Sequence, residues 1–243
     1  HTTLVHNDFI ESIEWETYKT VVPPVIISII LFLLFSWNFI SPTDNISSTI
    51  TLDDKFINKL KQKEKEILEL DYERVKNNPI IEGYRKLIEN VKRSVKKNPP
   101  TVESFIENIK RRGQIPRINS IVDVYNLASL NSYLSIGGHD LDKVTGNIYF
   151  TKSKVEDTFY PISAPSKHVE PTDFLYKDDK GIMAYLGIRD GEAYKIDENT
   201  KNVIFIIAGN ANTDVESRKK VLINLCEELK EYNKDLTYEI EVV

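Results

Sequence analysis

Asp123 and Asn126 stand three residues apart in a stretch that is apolar at most positions from Ile121 to Leu130. Asn119 and Ser120 open that stretch as helix-capping residues. Ile121, Val122, Val124, Tyr125, Leu127, Ala128 and Leu130 then cover nearly every side of a helix, which implies burial. Residues three apart share one helix face, and a buried carboxylate or amide without a partner costs about 1–3 kcal/mol. The Gly137-Gly138 pair follows, with His139, Asp140 and Asp142 behind it. Polar groups in an apolar helix, followed by a glycine-hinged polar loop, predict a site built on a rigid element. No Ser-His-Asp or Cys-His arrangement is present. His1, His6, His139 and His168 never fall at a metal-ligand spacing, so neither a metal nor a cofactor is expected. Gly187-x-x-x-Gly191 lacks the Gly-Lys-Ser/Thr of a phosphate loop.

These residues carry a resemblance. Asn119-x-x-Val122-Asp123-x-x-Asn126, with Asp140-Leu141-Asp142-Lys143 beginning fourteen positions after Asn126, resembles the editing domain of the phenylalanyl-tRNA synthetase beta subunit. The chain looks more like the free-standing relatives of that domain. A second block, Leu186-Gly187-Ile188-Arg189-Asp190 and on to Thr200-Lys201-Asn202, is similar to the family's glycine-containing strand-turn segment. The resemblance runs from about Leu52 to Tyr232. It implies an α+β fold that receives the aminoacylated 3′ end of tRNA, with tRNA and an amino acid as partners, and hydrolyses a wrongly attached amino acid in trans.

Such an ester is already activated, so its hydrolysis needs a held water, oxyanion donors and placement rather than a metal or strong nucleophile. By the resemblance, Asn126 and Gly187 line the pocket; Asn126 and the nearby His139 are the catalytic candidates. Gly187, with Gly137, Asp140 and Asp190 beside the two blocks, are the candidate substrate-binding residues. Asn126 is expected to project into a cleft opposite Gly187, with 137–142 as its rim and Asp123 supporting from behind. Two positions depart from the family. The family's histidine, three residues before Asp-Leu-Asp, is Gly137 here, and a usual glutamate falls at Ile206. An alternative therefore stands open: a non-catalytic tRNA- or amino-acid-binding module of the same fold. Likewise Asp140 and Asp142 could only cap a turn, and His139 could be solvent-exposed.

The elements that must hold these residues are legible in part. The chain has 243 residues, 41% hydrophobic and 28% charged, an ordinary globular composition. Its one cysteine, Cys226, excludes an internal disulfide framework and agrees with a cytoplasmic setting. The net charge is −5, yet Arg85 to Arg117 holds ten basic residues against three glutamates. Lys92, Arg93, Lys96, Lys97, Lys110, Arg111 and Arg112 are therefore the candidate nucleic-acid contacts, against the blander reading of a solvated helix face.

Residues 1–50 form an N-terminal segment, and 51–243 the editing-like domain. No charge occurs from Thr20 to Thr43, a length that would span a bilayer. Buried strands are the competing reading, because Val and Ile dominate its first half. Helices are predicted from Thr51 to Val75, Ile80 to Val95 and Thr101 to Gly113, then the apolar helix. Short strands follow at 147–151, 157–161 and 174–177, with a tight turn at 178–181 leading into 182–187. Val203 to Ala208 is an unbroken apolar run, hence a strand buried on both faces. Thr213 to Tyr232 is the last helix, and Leu236 to Val242 alternate as a final strand. Helices first and strands second predict one α+β domain, its helical N-terminal half packed on a mixed sheet.

Overall fold

The computed structural model describes residues 37–44, 50–171, 173–185 and 189–242. Helices α1 (Asp54–Glu69), α2 (Tyr72–Lys76), α3 (Pro79–Asn90), α4 (Thr101–Arg112) and α5 (Ser120–Ser132) come first, and α6 (Val215–Tyr232) comes late. Sheet A has the strand order β10-β1-β9-β2: β1 is Trp37–Asp44, β2 Ser135–Asp140, β9 Val203–Ala208 and β10 Thr237–Tyr238. A further strand, β11 (Glu241–Val242), also pairs with β1. Sheet B runs β3 (Tyr149–Lys152), β6 (Phe174–Lys177), β7 (Ile182–Tyr185) and β8 (Arg189–Asp190). A two-stranded ribbon joins β4 (Thr158–Phe159) to β5 (Lys167–His168). The fold is α+β, and every pairing between described strands is antiparallel where a mixed sheet was expected.

Alternation along β9 sets the layers. Val203, Phe205 and Ile207 pack against helices α1, α4, α5 and α6, with Ile106, Ile121, Leu222 and Leu225 in the same core. Ile204 and Ile206 face the other way, onto Ile148 and onto Tyr176, Met183 and Ala184 of sheet B. A third cluster, Phe159, Val169, Leu175, Ile182 and Tyr185, lies on the far side of sheet B, under the ribbon. Both faces of β9 are thus buried, as its unbroken apolar run requires.

The predicted first helix is broken in two. Leu70 ends α1 in an extended conformation, and the Asp71 side chain accepts from the Glu73 N–H to start α2. Lys110 closes the break by donating to the carbonyls of Ile67, Leu68 and Leu70, groups a helix end leaves unpaired. The third predicted helix ends at Gly113 in the left-handed conformation, φ 76°.

The boundary at residue 50 does not divide the fold in space. Strand β1, from the end of the uncharged stretch, lies between β9 and β10 with Thr43 opposite Val203. The strand reading therefore holds for 37–44, while residues 20–36 lie outside the described residues. Among the described residues no helix is long and apolar enough to cross a membrane.

Candidate functional site

The glycine-hinged segment is not a rim loop. Ser135–Asp140 is strand β2, paired with β9 so that Gly137 faces Ile206 and His139 faces Ile204. Successive side chains on a strand point to opposite faces, and the glycines follow that rule. A Cβ on Gly138 would come 2.9 Å from Cε1 of Tyr125 on α5. A Cβ on Gly137 would lie 2.8 Å from the Tyr176 hydroxyl, 3.3 Å from Asp190 Oδ1 and 3.3 Å from His139 Nε2. The two glycines let a helix tyrosine and a sheet-B tyrosine press on β2 from its two faces. Any side chain at 137 would fill the space between three polar atoms.

His139 is fully enclosed, at 0% exposure. Its Nε2 lies 2.6 Å from the Tyr176 hydroxyl, and its Nδ1 has no partner among the described residues. An orphaned buried N–H is rarer than an orphaned acceptor, so the tautomer with hydrogen on Nε2 is the favoured assignment. In that tautomer His139 donates to Tyr176 and leaves the phenol proton free to be donated elsewhere. Burial lowers the imidazole pKa to about 3, so the ring is neutral at neutral pH. Enclosed in this way, the ring touches no solvent, and its polar contact is with the Tyr176 hydroxyl.

Asp190 Oδ1 lies 3.9 Å from His139 Nε2, and a quarter of the Asp190 side chain reaches solvent. Burial raises its pKa to about 7, and the open quarter limits how far that rise can go. The same carboxylate adds to the burial that pushes the Tyr125 and Tyr176 phenols upward. Tyr125 and Tyr176 were missed as site residues. The signal available was an aromatic with a polar tip at an inward position, a type that seeks a partner when buried.

Asp140, expected to bind substrate, is a clamp instead. Only 3% exposed, it accepts from the Asp142 N–H (3.1 Å) and the Thr200 hydroxyl (2.7 Å), with the Lys143 ammonium at 3.2 Å. Asn202 Nδ2 donates to Asp142 at 2.8 Å, and the Leu141 N–H to the Asn202 carbonyl. The two sequence blocks, sixty residues apart, therefore interlock side chain to side chain. Both Asp140 oxygens thus accept from protein donors, one from the Asp142 N–H and the other from Thr200 and Lys143. Asp123 accepts from Arg117 Nε (2.5 Å) and the Ile118 N–H (3.0 Å), tying the chain ahead of α5 to its first turn. Asn126 is half-buried on the same helix. Gly187 lies outside the described residues, and so does its expected convergence with Asn126.

The basic residues do not form one patch. Lys92, Lys96 and Lys97 are exposed between α3 and α4, while Lys110, Arg111 and Arg112 sit at the far end of α4. At 1.5 Å per helical residue the two groups are roughly 15 Å apart. Arg93 is committed inward: its Nε donates to Asp173 Oδ1 at 2.8 Å, and Asp173 is 0% exposed. Lys110 is taken up by the α1 carbonyls, and Arg111 by Asn108. Among the described residues no group of three His, Cys, Asp or Glu side chains could hold a metal ion.

The B3/4 domain model matches residues 83–237, more than half of the chain. The phenylalanine–tRNA ligase beta subunit of Mycoplasma genitalium is 30% identical over 128 residues, covering 52% of this chain and 15% of that protein. The beta subunit of Leifsonia xyli is 26% identical over 122 residues, covering 50% of this chain and 14% of that protein. The chain thus spans about a seventh of the length of these relatives. A crystal structure of an N-terminal fragment of the Pyrococcus horikoshii phenylalanyl-tRNA synthetase beta subunit overlays with a TM-score of 0.43 at 13% identity, covering 86% of this chain and 48% of that one. By the extent of the family match, the chain belongs to the B3/4 domain family.

Proposed function

We propose that this domain receives the aminoacylated 3′ end of a tRNA in the cytoplasm and hydrolyses the ester of a mischarged amino acid in trans. The observation that supports this most is Asp190, a mostly buried carboxyl, a quarter of it open to solvent, raised to about 7 beside Gly137 and the Tyr176 hydroxyl. A base is most useful when its pKa lies near the working pH. In this reading Asp190 takes a proton from water as the water oxygen attacks the ester carbonyl. Tyr176, held by His139, donates toward the developing oxyanion. The carbon–oxygen bond to the ribose then breaks, and Asp190 returns its proton to the leaving hydroxyl. The products are the free amino acid and the uncharged tRNA end. Asn126, projecting from α5, is assigned to placing the substrate.

A second reading has its own support. Ile206, where the family glutamate falls, is 2% exposed and packs with Tyr176. An apolar residue at that place agrees with a binding module that has lost the chemistry. Incubating the full chain with a panel of mischarged tRNAs separates the two. Release of amino acid above the uncatalysed rate, abolished by Asp190→Asn, supports hydrolysis. Binding without release from any pair would leave the binding module.

A further inference from the structure

Sheet B does not stop at β8. The Ile162 N–H donates to the Asp190 carbonyl at 3.0 Å, and the Glu192 N–H to the Tyr160 carbonyl at 2.8 Å, around an antiparallel bridge between Pro161 and Gly191. This register puts Ile162 opposite Asp190 and Tyr160 opposite Glu192. Residues directly opposite on neighbouring strands share a face, with Cβ atoms about 4.5–5.5 Å apart. Asp190 is in turn opposite Ala184, which packs between the two sheets. Ile162 and Tyr160 therefore continue the Asp190 face outward, past the edge of β8. Burial alternates along the segment as a strand requires. Phe159 and Pro161 are buried, whereas Tyr160 is 63% exposed and Ile162 37%.

Singly exposed apolar side chains are ordinary. Two on one face, beside a carboxyl that is a quarter open to solvent, make an apolar strip at the mouth of a polar site. The turn that follows the strip is held in place. Ser163, at φ 53°, has a left-handed backbone that residues other than glycine seldom adopt, and its N–H donates to Glu192 Oε2 at 3.1 Å. Glu192, the charged residue across from Tyr160, is also paired with Lys195, so that pair brings no net charge to attract a phosphate. An aminoacyl ester with its carbonyl at Asp190 has two arms, an anionic RNA end and an amino-acid side chain. From this geometry we infer that the Tyr160–Ile162 strip receives the amino-acid side chain, and that the domain selects apolar side chains over polar ones of the same shape. Ile162 meets the part of the side chain close to the ester, and Tyr160 its outer end. The inference rests on the placement of the ester at Asp190 proposed above.

Leucine and asparagine have nearly the same shape, so comparing them isolates the apolar contact. The full chain is incubated with one tRNA charged with either amino acid. In parallel, equilibrium dialysis measures binding of two stable analogues, 3′-amino-3′-deoxyadenosine joined through an amide to leucine or to asparagine. The leucyl ester should be released with a kcat/KM roughly tenfold or more above the asparaginyl ester, the scale on which an apolar contact discriminates. The leucyl amide should bind tighter by a similar factor. Ile162→Ser and Tyr160→Ser should each bring both ratios toward one, chiefly by weakening the leucyl compounds, with the fold retained by circular dichroism. Ile162→Val should keep most of the preference. Equal treatment of the two amino acids by the wild type overturns the inference, and so does a preference unchanged in both serine variants. Variants that weaken leucyl and asparaginyl compounds alike would assign the strip to the RNA end and overturn it too. Hydrolysis without preference refutes only the strip. If neither ester is hydrolysed, the dialysis decides: a leucyl preference lost in Ile162→Ser upholds the strip while the deacylase falls, and the absence of preference or of binding removes the strip as well.

Discussion

Asp190→Asn is the most informative substitution, because one carboxyl is asked to explain both a pH-dependent stability and a pH-dependent rate. Its pKa is raised from 3.8 to about 7 by burial. A group that binds its proton more tightly when folded contributes stability that is full below its unfolded pKa and lost as pH rises through its folded pKa. Three units at about 1.4 kcal/mol each would give roughly 4 kcal/mol lost between pH 4 and pH 8. The quarter of the side chain that reaches solvent trims this to about 2–3 kcal/mol. Asparagine copies the shape of the neutral acid and never ionises. Urea denaturation should therefore find the two proteins nearly equal at pH 4, and the variant about 2–3 kcal/mol more stable at pH 8. His139, lowered to about 3, costs stability as pH falls below 6.5, but it is common to both proteins and drops out of the difference. In the deacylation assay the wild-type rate should climb through pH 7, and the variant should fall by about a hundredfold or more. A stability difference that does not change with pH would refute the raised pKa. A variant as active as wild type would refute the base.

Three further substitutions probe the surroundings. Gly137→Ala places a methyl 2.8 Å from the Tyr176 hydroxyl and 3.3 Å from Asp190, and should cost about 1–3 kcal/mol in a melting experiment while lowering hydrolysis or ligand binding; unchanged activity would show that the space beside Gly137 is not used. Arg93→Ala leaves the enclosed Asp173 without its cation and should destabilise by about 3–5 kcal/mol, whereas Lys96→Ala should stay within about 0.5 kcal/mol; equal effects would return Arg93 to the surface cations. Asp123→Ala should destabilise by about 1–3 kcal/mol through loss of the Arg117 and Ile118 contacts, while Asn126→Ala should lower activity with little loss of stability; the reverse outcome would exchange their roles.

The elements legible in the sequence were those whose burial is the same all round or strictly periodic. Val203–Ala208 reads as a strand because both its faces are covered, and Ser120–Ser132 reads as a buried helix because nearly every side is apolar. Strand β2 was illegible for a physical reason. Its sequence, Ser-Ile-Gly-Gly-His-Asp, has the composition of a loop, since glycine is normally depleted in strands. Here the glycines are needed because Tyr125 and Tyr176 press against the strand, and each occupies space a Cβ would take. The information that makes 135–140 a strand thus resides in two tyrosines on other elements.

The site was misjudged in the same direction. His139 and Asp140 are polar letters beside a glycine pair, and polarity alone does not say which way a side chain faces. On β2 they alternate: His139 points between the sheets to hold Tyr176, while Asp140 grips Thr200 and Lys143. Both side chains are enclosed and already engaged with protein partners. The group that does reach solvent, Asp190, comes from a two-residue strand that no periodicity could reveal. What brings it to Gly137 is the packing of sheet B on sheet A through Tyr176, Ala184 and Ile206. A carboxyl with an ordinary pKa in the sequence becomes a candidate base only through that packing, so substitutions that loosen the sheet interface should lower the Asp190 pKa before they unfold the chain. Ile206→Ala is the direct case. It would remove a large side chain that is 2% exposed, at a cost of about 2–5 kcal/mol. If the argument is right, the pH at which the deacylation rate reaches half its plateau should move down from about 7 while the far-ultraviolet spectrum is retained. A half-plateau pH that stays put in a folded Ile206→Ala protein would mean that the interface does not set the acidity of Asp190.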